Sequence, residues 1–250
     1  MSKDNISIVI LAAGKGSRMK SHKAKVLHNV SGKPMLYHII KASREISNDI
    51  TVVIAHQKEA VQEQMESFFD DIRFVVQDSE NFPGTGGAMK NVVPKNEKVL
   101  VLNGDMPLIS AESLQGFLKT DADVIMSIFD LENPDGYGRV AIEKGQVQYI
   151  VEQKDANEEE LQITHVNAGI YAFSKAVLEK YIPLLSNDNA QEEYYLTDLI
   201  AMARQDALNI TPLLVDEEHF KGVNSKKDLA VSEVIMQERI KSHWIASGVT

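Results

Sequence analysis

Short apolar segments alternate with amphipathic segments along almost the whole chain of 250 residues. Several apolar segments carry hydrophobic side chains at successive positions, which is typical of strands covered on both faces of a sheet. The intervening segments repeat their apolar side chains at helical spacing. This alternation predicts an α/β fold with a mostly parallel central sheet. The predicted strands are 6–12, 51–55, 73–76, 99–103, 124–129, 168–173 and 210–215, and the predicted helices are 35–46, 58–68, 111–118, 175–184 and 196–207.

Two parts of the chain depart from this alternation. The segment of about 130–167 predicts a β-hairpin that turns at Lys144-Gly145, which we interpret as a β-rich insertion laid over the sheet. The last residues, 226–250, predict a long helix and a short tail. The sequence therefore divides into a main unit, residues 1–225, and this terminal segment.

The composition restricts the classes of partner. The chain carries 26 basic and 36 acidic residues, a net charge of −10, so a polyphosphate backbone would repel it and we expect no nucleic-acid partner. It has no cysteine, which removes disulfides, thiolate nucleophiles and thiolate metal sites. No stretch approaches the roughly 20 apolar residues of a membrane helix, so we expect no membrane partner and a cytoplasmic location.

The early segment "ILAAGKGSRMKSHKAKVL", residues 10–27, gathers six basic side chains in an acidic chain. A glycine-rich turn after a strand lets backbone N–H groups approach an anion closely. Neither the G-x-G-x-x-G fingerprint of dinucleotide-binding turns nor the P-loop pattern G-x-x-x-x-G-K-[ST] is completed here. What remains is a phosphate loop in which Gly14 and Gly16 admit the anion, and Arg18 and Lys25 supply fixed cations for a triphosphate.

The motifs LAAGKGSRM and KAKVLHNVSGKPML resemble the signature of the sugar-1-phosphate nucleotidylyltransferases. Further motifs follow in that family's order over nearly the whole chain: GTGGAM (84–89), NGDMPL (103–108), GYGRV (136–140), IVEQKDA (150–156), VNAGIYAF (166–173), AQEEYYLTDLI (190–200) and GVNSKKDLA (222–230). Their combination resembles the uridylyltransferase half of the bacterial bifunctional N-acetylglucosamine-1-phosphate uridylyltransferases/glucosamine-1-phosphate acetyltransferases.

This resemblance implies a Rossmann-like nucleotidyltransferase fold, with residues 1–225 as the nucleotidylyltransferase (pyrophosphorylase) domain and the insertion as its sugar-binding part. The implied reaction is attack by the phosphate of N-acetylglucosamine-1-phosphate on the α-phosphorus of UTP, which gives UDP-N-acetylglucosamine and pyrophosphate. Such chemistry needs positioning and charge neutralisation rather than a protein nucleophile. The implied pathway is the synthesis of cell-wall precursors for peptidoglycan and lipopolysaccharide.

The implied catalytic residues are Arg18, Lys25 and Asp105. Asp105 follows a predicted apolar strand, at the end where α/β sheets place ligands. By the resemblance, Asp105 and Asn224 bind Mg²⁺, and two oxygen ligands with phosphates and waters suit that ion.

The implied substrate-binding residues are Leu11, Ala12, Ala13, Gly14, Lys25, Gln77, Gly84, Thr85, Asn103, Gly104, Asp105, Gly138, Glu152, Asn167 and Asn224. Among them, Gln77, Gly84 and Thr85 would complete the uracil pocket. Gly138, Glu152 and Asn167 would form the sugar site, with Tyr195, Thr197 and Asp198 as weaker candidates. Outside this set, we interpret His28, His38 and His56 as structural.

The chain departs from the family pattern near the base pocket and the sugar contacts. The loop 78–83 is two residues longer than the family's spacing leads us to expect. Four positions carry an unusual residue: Ala24 for proline, Glu80 for glutamine, Gly87 for histidine and Ala168 for threonine. A nucleotidylyltransferase with another base or hexose phosphate therefore stays open as an alternative. A non-catalytic sugar-nucleotide sensor is disfavoured, because Arg18, Lys25, Asp105 and Asn224 are all present.

In the resembling enzymes, a helix like that of residues 226–244 leads into a left-handed β-helix of hexapeptide repeats, which carries acetyl transfer and trimerises. We expect this chain to be cut from such a longer protein, whose full-length form would be a homotrimer. We expect the chain itself to lack both the trimer and acetyl-CoA-dependent activity.

Overall fold

The computed structural model describes residues 3, 5–135, 137–151, 153 and 156–249. The strands within these ranges are β1 (Ile6–Leu11), β2 (Asn29–Val30), β3 (Lys33–Pro34), β4 (Asp49–Ile54), β5 (Arg73–Val76), β6 (Lys98–Asn103), β7 (Val124–Asp130), β8 (Arg139–Glu143), β9 (Gln146–Val151), β10 (His165–Ser174) and β11 (Ile210–Leu214). The α-helices are α1 (Met35–Arg44), α2 (Lys58–Glu66), α3 (Gly84–Met89), α4 (Gln115–Lys119), α5 (Lys175–Tyr181), α6 (Asp198–Gln205), α7 (Glu217–Phe220) and α8 (Lys226–Ala246).

The central sheet has the strand order β11-β7-β10-β6-β1-β4-β5. β1 pairs in parallel with β4 and β6, β4 with β5, and β7 with β11. Only β10 of this row runs against the others, because it pairs antiparallel with both β6 and β7. The predicted α/β fold with a mostly parallel sheet is confirmed.

Helices cover both faces of the sheet. On one face, Ile8 and Ile10 of β1 pack in a cluster with buried side chains of α1 and α2, such as Leu36 and Val61. On the other face, Val9 belongs to a cluster with side chains of α3, α5 and α6. Successive side chains of a strand point to opposite faces, so both sets must be apolar. This arrangement explains the nearly continuous apolar runs of the sequence.

The hairpin of β8 and β9 turns at the predicted position. Lys144 and Gly145 both have positive φ angles, +52° and +75°, as a two-residue turn between twisted strands requires. Pairing between Arg139 and Val166 joins this hairpin to β10.

The helix predicted at 111–118 is wrong at its start, since α4 begins only at Gln115. Ser110 and Ser113 account for the difference. The backbone N–H of each residue donates to the hydroxyl of the other, at 3.0 and 3.2 Å. Such side-chain bonds compete with helix formation and hold this segment as a turn.

The terminal helix α8 extends over Lys226–Ala246 and begins with a capping box formed by Ser225 and Asp228. Leu229 and Met236 pack against a small cluster that contains Met19 and Met35. Within the described ranges, no helix combines the length and the apolar character that crossing a bilayer demands.

A buried carboxylate joins the starts of three neighbouring strands. Asp49, the first residue of β4, is 5% exposed. It accepts hydrogen bonds from the Ser7 hydroxyl at 2.5 Å, from Arg73 Nη2 at 2.7 Å and from the backbone N–H of Lys95 at 3.0 Å. A buried charge is stable only with such partners.

We therefore predict that Asp49→Ala lowers the free energy of unfolding by about 2–4 kcal/mol, because it leaves buried donors unpaired. Urea denaturation checks this value. The matched control is Asp71→Ala, whose carboxylate pairs with Arg44 at 2.7 Å while 51% exposed. That control should lose no more than about 1 kcal/mol. Equal losses in the two variants would contradict the role of the buried network.

Candidate active site

A cleft of about 950 Å³ opens at the carboxyl ends of β1, β4, β5 and β6. Leu11 and Asn103, the last residues of β1 and β6, line it, as do Ala55 and Gln77 just after β4 and β5. Parallel sheets bind their ligands at this edge, because the strand ends and the following loops converge there. The cleft is therefore the candidate active site.

The predicted phosphate loop forms one wall of the cleft, and Leu11, Ala12, Ala13 and Gly14 all line it. Gly16 has a φ of +62°, and a Cβ at this position would lie only 2.5 Å from the Cβ of Lys25. Only glycine satisfies both the backbone conformation and this close approach. The turn therefore brings Lys25 against the loop.

Four predicted residues, distant in the chain, meet at one end of the cleft. Lys25 Nζ lies 2.5 Å from Asp105 Oδ2, and it also donates to Asn224 Oδ1 at 3.2 Å. Arg18 Nη2 donates to the same Asn224 oxygen at 2.9 Å. The side chains of Lys25 and Asp105 are only 14% and 16% exposed. The structure thus brings together two cations and two oxygen ligands.

The backbone around Asp105 holds this cluster in place. Gly104 N–H donates to Leu11 O at 2.8 Å, which ties the turn after β6 to the end of β1. Val223 N–H donates to Asp105 O at 2.8 Å. A Cβ on Gly222 would come within 3.3 Å of the Asp105 carboxylate. The loop that carries Asn224 therefore lies directly against Asp105.

The start of α8 orients Asn224. The Asp228 carboxylate accepts the N–H of Asn224 at 3.0 Å and the N–H of Ser225 at 2.8 Å. Burial alone raises the pKa of the Asp228 carboxyl, but bonds from the Ser225 hydroxyl and these two N–H groups bring its pKa below the usual value. The carboxylate form is the one that accepts these bonds, so it fixes the backbone on which Asn224 stands.

The donor set suits a hard divalent cation. Asp105 and Asn224 each direct an oxygen at the same Lys25 ammonium, so the two oxygens face one point. A carboxylate and an amide oxygen are ligands that Mg²⁺ accepts. Within the described ranges, no group of three His, Asp or Glu side chains forms a protein-only metal cage. Substrate phosphates and waters would therefore supply the other ligands of a cation here.

Gln77, Gly84 and Thr85 line the opposite wall of the cleft. Their polar groups also hold this wall together. Gln77 Nε2 donates to Phe82 O at 2.9 Å and to Gly84 O at 3.0 Å, while Thr85 Oγ1 accepts the N–H of Leu196 at 3.1 Å. Gln77 thus closes the base of the loop 78–83.

The loop 78–83 explains why position 87 is glycine. This residue lies in α3, which packs against the loop. The sequence did not predict α3, because its motif GTGGAM is glycine-rich. A Cβ on Gly87 would lie 2.1 Å from Phe82 O, so no larger residue fits under the loop as it stands. Lys90 Nζ lies 4.1 Å from the Phe82 ring centre and 4.7 Å from the Tyr194 ring centre. These cation–π contacts hold Phe82 of the loop against α3 and Tyr194.

Two of the predicted sugar residues, Gly138 and Asn167, lie beside the cleft and are not among the described residues that line it. Asn167 N–H donates to Gly138 O at 3.3 Å, so these two residues are neighbours. The Asn167 side chain bonds Tyr171 Oη at 2.7 Å and accepts Gly169 N–H at 2.8 Å. Glu152, the third predicted sugar residue, lies outside the described residues.

The weaker sugar candidates lie elsewhere. Tyr195, Thr197 and Asp198 line a second cavity of about 320 Å³ between β9 and α6. Burial raises the pKa of the Asp198 carboxyl. The structure therefore separates these three residues from the main cleft.

Several residues of the cleft are not among the site residues predicted from the sequence. Lys15, Ser17 and Lys58 line it, and so does His56, an exposed side chain that we interpreted as structural. By contrast, His38 fits that interpretation, since its Nε2 lies 2.8 Å from Val30 O and burial lowers its pKa. The position of His56 two residues after the end of β4 was the signal that could have placed it in the cleft.

The fold and this site together define a nucleotidyltransferase of the Rossmann-like type. The chain belongs to the family of MobA-like NTP transferase domains, whose model matches residues 8–162.

Curated relatives extend over the whole chain. Bifunctional protein GlmU of Sulfurimonas denitrificans is 67% identical over 250 residues, which is 100% of this chain and 58% of that protein. Bifunctional protein GlmU of Nitratiruptor sp. is 57% identical over 245 residues, 98% of this chain and 57% of that protein. The resemblance to bifunctional nucleotidylyltransferases is confirmed, and the chain spans less than two thirds of the length of these relatives.

Solved structures share the fold. The inositol-1-phosphate CTP transferase from T. maritima superposes with a TM-score of 0.72 at 15% identity, covering 94% of this chain and 96% of that chain. HddC from Yersinia pseudotuberculosis superposes with a TM-score of 0.68 at 20% identity, covering 92% of this chain and 99% of that chain.

Gly87→Ala tests the packing of the long loop. The added methyl group would collide with Phe82 O, so we predict a loss of about 1–3 kcal/mol in the free energy of unfolding. The matched control is Gly14→Ala, where a Cβ meets no atom within 4 Å. It should change stability by less than about 1 kcal/mol in the same urea titration. A Gly87→Ala variant as stable as the parent chain would show that the loop is free to move away.

Proposed function

We propose that this chain transfers the uridylyl group of UTP to N-acetylglucosamine-1-phosphate and releases pyrophosphate. The observation that carries the proposal is the meeting of Arg18, Lys25, Asp105 and Asn224 at the end of the phosphate loop. The family motifs of the sequence support this choice of substrates, and the relatives named Bifunctional protein GlmU extend over the same motifs.

In this proposal the triphosphate lies along the phosphate loop. The backbone of Ala13 and Gly14 borders the cleft and offers N–H groups to phosphate oxygens, while the N–H of Ala12 donates to Val53 O at 2.8 Å and holds the loop to β4. Lys15 and Lys25 add positive charge along the same wall. The uracil lies between this turn and the wall of Gln77, Gly84 and Thr85. This arrangement fixes the α-phosphorus near the end of β6.

A phosphate oxygen of the sugar phosphate attacks the α-phosphorus of UTP. A new P–O bond forms there, and the bond to the bridging oxygen of the β-phosphate breaks, so pyrophosphate leaves with its electron pair. Arg18 and Lys25 stabilise the charge that develops on the leaving group. Mg²⁺ held by the oxygens of Asp105 and Asn224 would neutralise negative charge on the reacting phosphates.

The cations are oriented before substrate enters. Asn224 Oδ1 accepts bonds from both Arg18 and Lys25, which holds two long side chains in one geometry. The two cations therefore lie at the loop before substrate enters, and they would turn from these oxygens to the phosphates when a metal ion binds Asp105 and Asn224.

The sugar phosphate approaches from the side of β8, β9 and β10. In this proposal Gly138 and Asn167 contact the sugar, with Glu152 as the third group. Asn103 Nδ2 donates to Gly169 O at 3.0 Å, which connects the cleft to this edge. The product is a cell-wall precursor, and the reaction takes place in the cytoplasm.

Turnover assays with several nucleotides test the substrates directly. Pyrophosphate release should be fastest with UTP and N-acetylglucosamine-1-phosphate. Faster release with CTP, dTTP, GTP or ATP, or with another hexose phosphate, would favour the alternative nucleotidylyltransferase. Absence of release with every pair would contradict the enzyme assignment and leave a binding protein.

Asp105→Ala should lower kcat by about a thousandfold, because loss of a ligand to a cation that would neutralise charge on the reacting phosphates removes several kcal/mol of transition-state stabilisation. The measurement is pyrophosphate release at saturating substrates and Mg²⁺, with circular dichroism to verify folding. Asp71→Ala, which removes an exposed carboxylate paired with Arg44, is the control and should keep normal turnover. Near-normal turnover of Asp105→Ala would refute its assigned role.

Arg18→Ala and Lys25→Ala should each lower kcat more than they weaken the affinity for UDP-N-acetylglucosamine. The charge on departing pyrophosphate exists only during the reaction, so its stabilisation appears in turnover. Calorimetric titration of the product gives the affinity for comparison. Lys23→Ala, which changes an exposed lysine of the same segment, should alter neither value. Equal losses in affinity and turnover would mean that the two cations only bind the ground state.

A further inference from the structure

The segment before Lys25 leads the lysine into the cleft. Lys20 has a left-handed backbone with a φ of +47°, and the side chains from Lys20 to Lys23 are exposed. Ala24 is buried at 3% exposure, and a short helical turn, Lys25–Leu27, follows it. An exposed segment of this kind holds Lys25 in one place only if another part of the chain bonds its backbone.

Gln57 supplies that fixed point from another part of the chain. Its Nε2 donates to His22 O at 2.5 Å, and its Oε1 accepts the N–H of Ala24 at 3.0 Å. One side-chain amide therefore holds the carbonyl and the N–H that lie on either side of Lys23. A neighbouring strand of a parallel sheet bonds the same two backbone groups, the C=O of one residue and the N–H two residues later.

This pair of bonds fixes the orientation of the amide. A flipped amide would direct Oε1 at the His22 carbonyl and Nε2 at the Ala24 N–H, so neither bond would form. Gln57 itself has a left-handed backbone, with a φ of +52°, at the turn between β4 and α2. A non-glycine residue holds this conformation at a cost, which the two bonds offset.

The neighbours of Gln57 face a different environment. His56 and Lys58 both line the cleft, whereas the Gln57 side chain reaches the segment 22–24. Gln57 thus acts on Lys25 through the backbone before it.

We propose that Gln57 is a positioning residue for the reaction, which clamps the segment 22–24 and thereby sets the place of the Lys25 ammonium beside Asp105. This inference rests on the proposed function, because it assigns Lys25 to the reacting phosphates.

The backbone of Ala24 suggests how the clamp can be replaced. Its φ of −51° and ψ of +136° are angles that proline adopts. Proline would fix this φ through its ring, but it has no N–H to donate to Gln57. A proline at position 24 and the Gln57 clamp are therefore alternative constraints on the same segment.

A double-variant experiment uses this alternative. The variants are Gln57→Ala, Ala24→Pro and the combination of both. The matched control is Gln62→Ala, a glutamine of α2 whose Nε2 bonds Glu66 in the next turn at 2.7 Å. Two measurements are made on each variant: kcat for uridylyl transfer, and hydrogen exchange of the Leu27 and His28 amides, which donate to Ala24 O and Lys25 O.

Gln57→Ala should lower kcat about tenfold, since displacement of a positioned charge by a fraction of an ångström affects turnover strongly. The affinity for UDP-N-acetylglucosamine should change by less than about threefold, and exchange at Leu27 and His28 should be about tenfold faster. Adding Ala24→Pro to Gln57→Ala should restore kcat and exchange to within about threefold of the parent chain. Gln62→Ala should alter neither quantity.

Unchanged kcat in Gln57→Ala would overturn the positioning role, even if exchange became faster. A double variant no better than Gln57→Ala would overturn the clamp as the cause. A parent chain inactive with UTP and N-acetylglucosamine-1-phosphate would contradict the proposed function alone. The exchange rates would then decide by themselves whether Gln57 orders the segment: rescue by Ala24→Pro supports the clamp, and its absence overturns it.

Discussion

The ion pair between Lys25 and Asp105 joins two turns that lie 80 positions apart in the chain. Both side chains are largely withdrawn from water, so each charge depends on the other. The sheet supplies the frame for this pair. Parallel pairing places Leu11 opposite Asn103, and the two following turns therefore leave the sheet side by side. The rest of the site, including Asn224 and Arg18, is arranged around this contact.

The sequence was sufficient to predict the sheet, because its central strands are covered on both faces and must be apolar at every position. The family resemblance predicted the residues that meet at Asp105, since each lies in one of the motifs that carry the resemblance. The sequence did not predict α3, whose stability comes from packing under the loop 78–83 rather than from helix propensity. It did not predict the bonds of Gln57 either, because they depend on a tertiary contact between segments that no local pattern connects.

Gly87 and Ala24, two residues that the sequence analysis singled out, each contact a segment that suits the residue present. The loop 78–83 leaves no space for a side chain at position 87, and glycine is found there. Alanine at position 24 has a backbone N–H that proline would lack, and this N–H donates a hydrogen bond to Gln57 Oε1. In both places, the residue present is matched to the segment that it contacts. Such pairs show why a residue that departs from a family pattern has to be interpreted together with its neighbours in space.

The reversed strand β10 explains how the insertion reaches the cleft. Tyr171 pairs with Val101 of β6, so the earlier residues of β10 extend past the carboxyl end of that strand. Val166 then pairs with Arg139 and carries the β8–β9 hairpin at the same edge. A parallel strand in this place would begin at the opposite edge and would take the hairpin away from the phosphate loop. The antiparallel pairing of β10 is therefore the topological feature that brings the hairpin to the edge of the sheet where the phosphate loop lies, as the proposed reaction of two substrates requires.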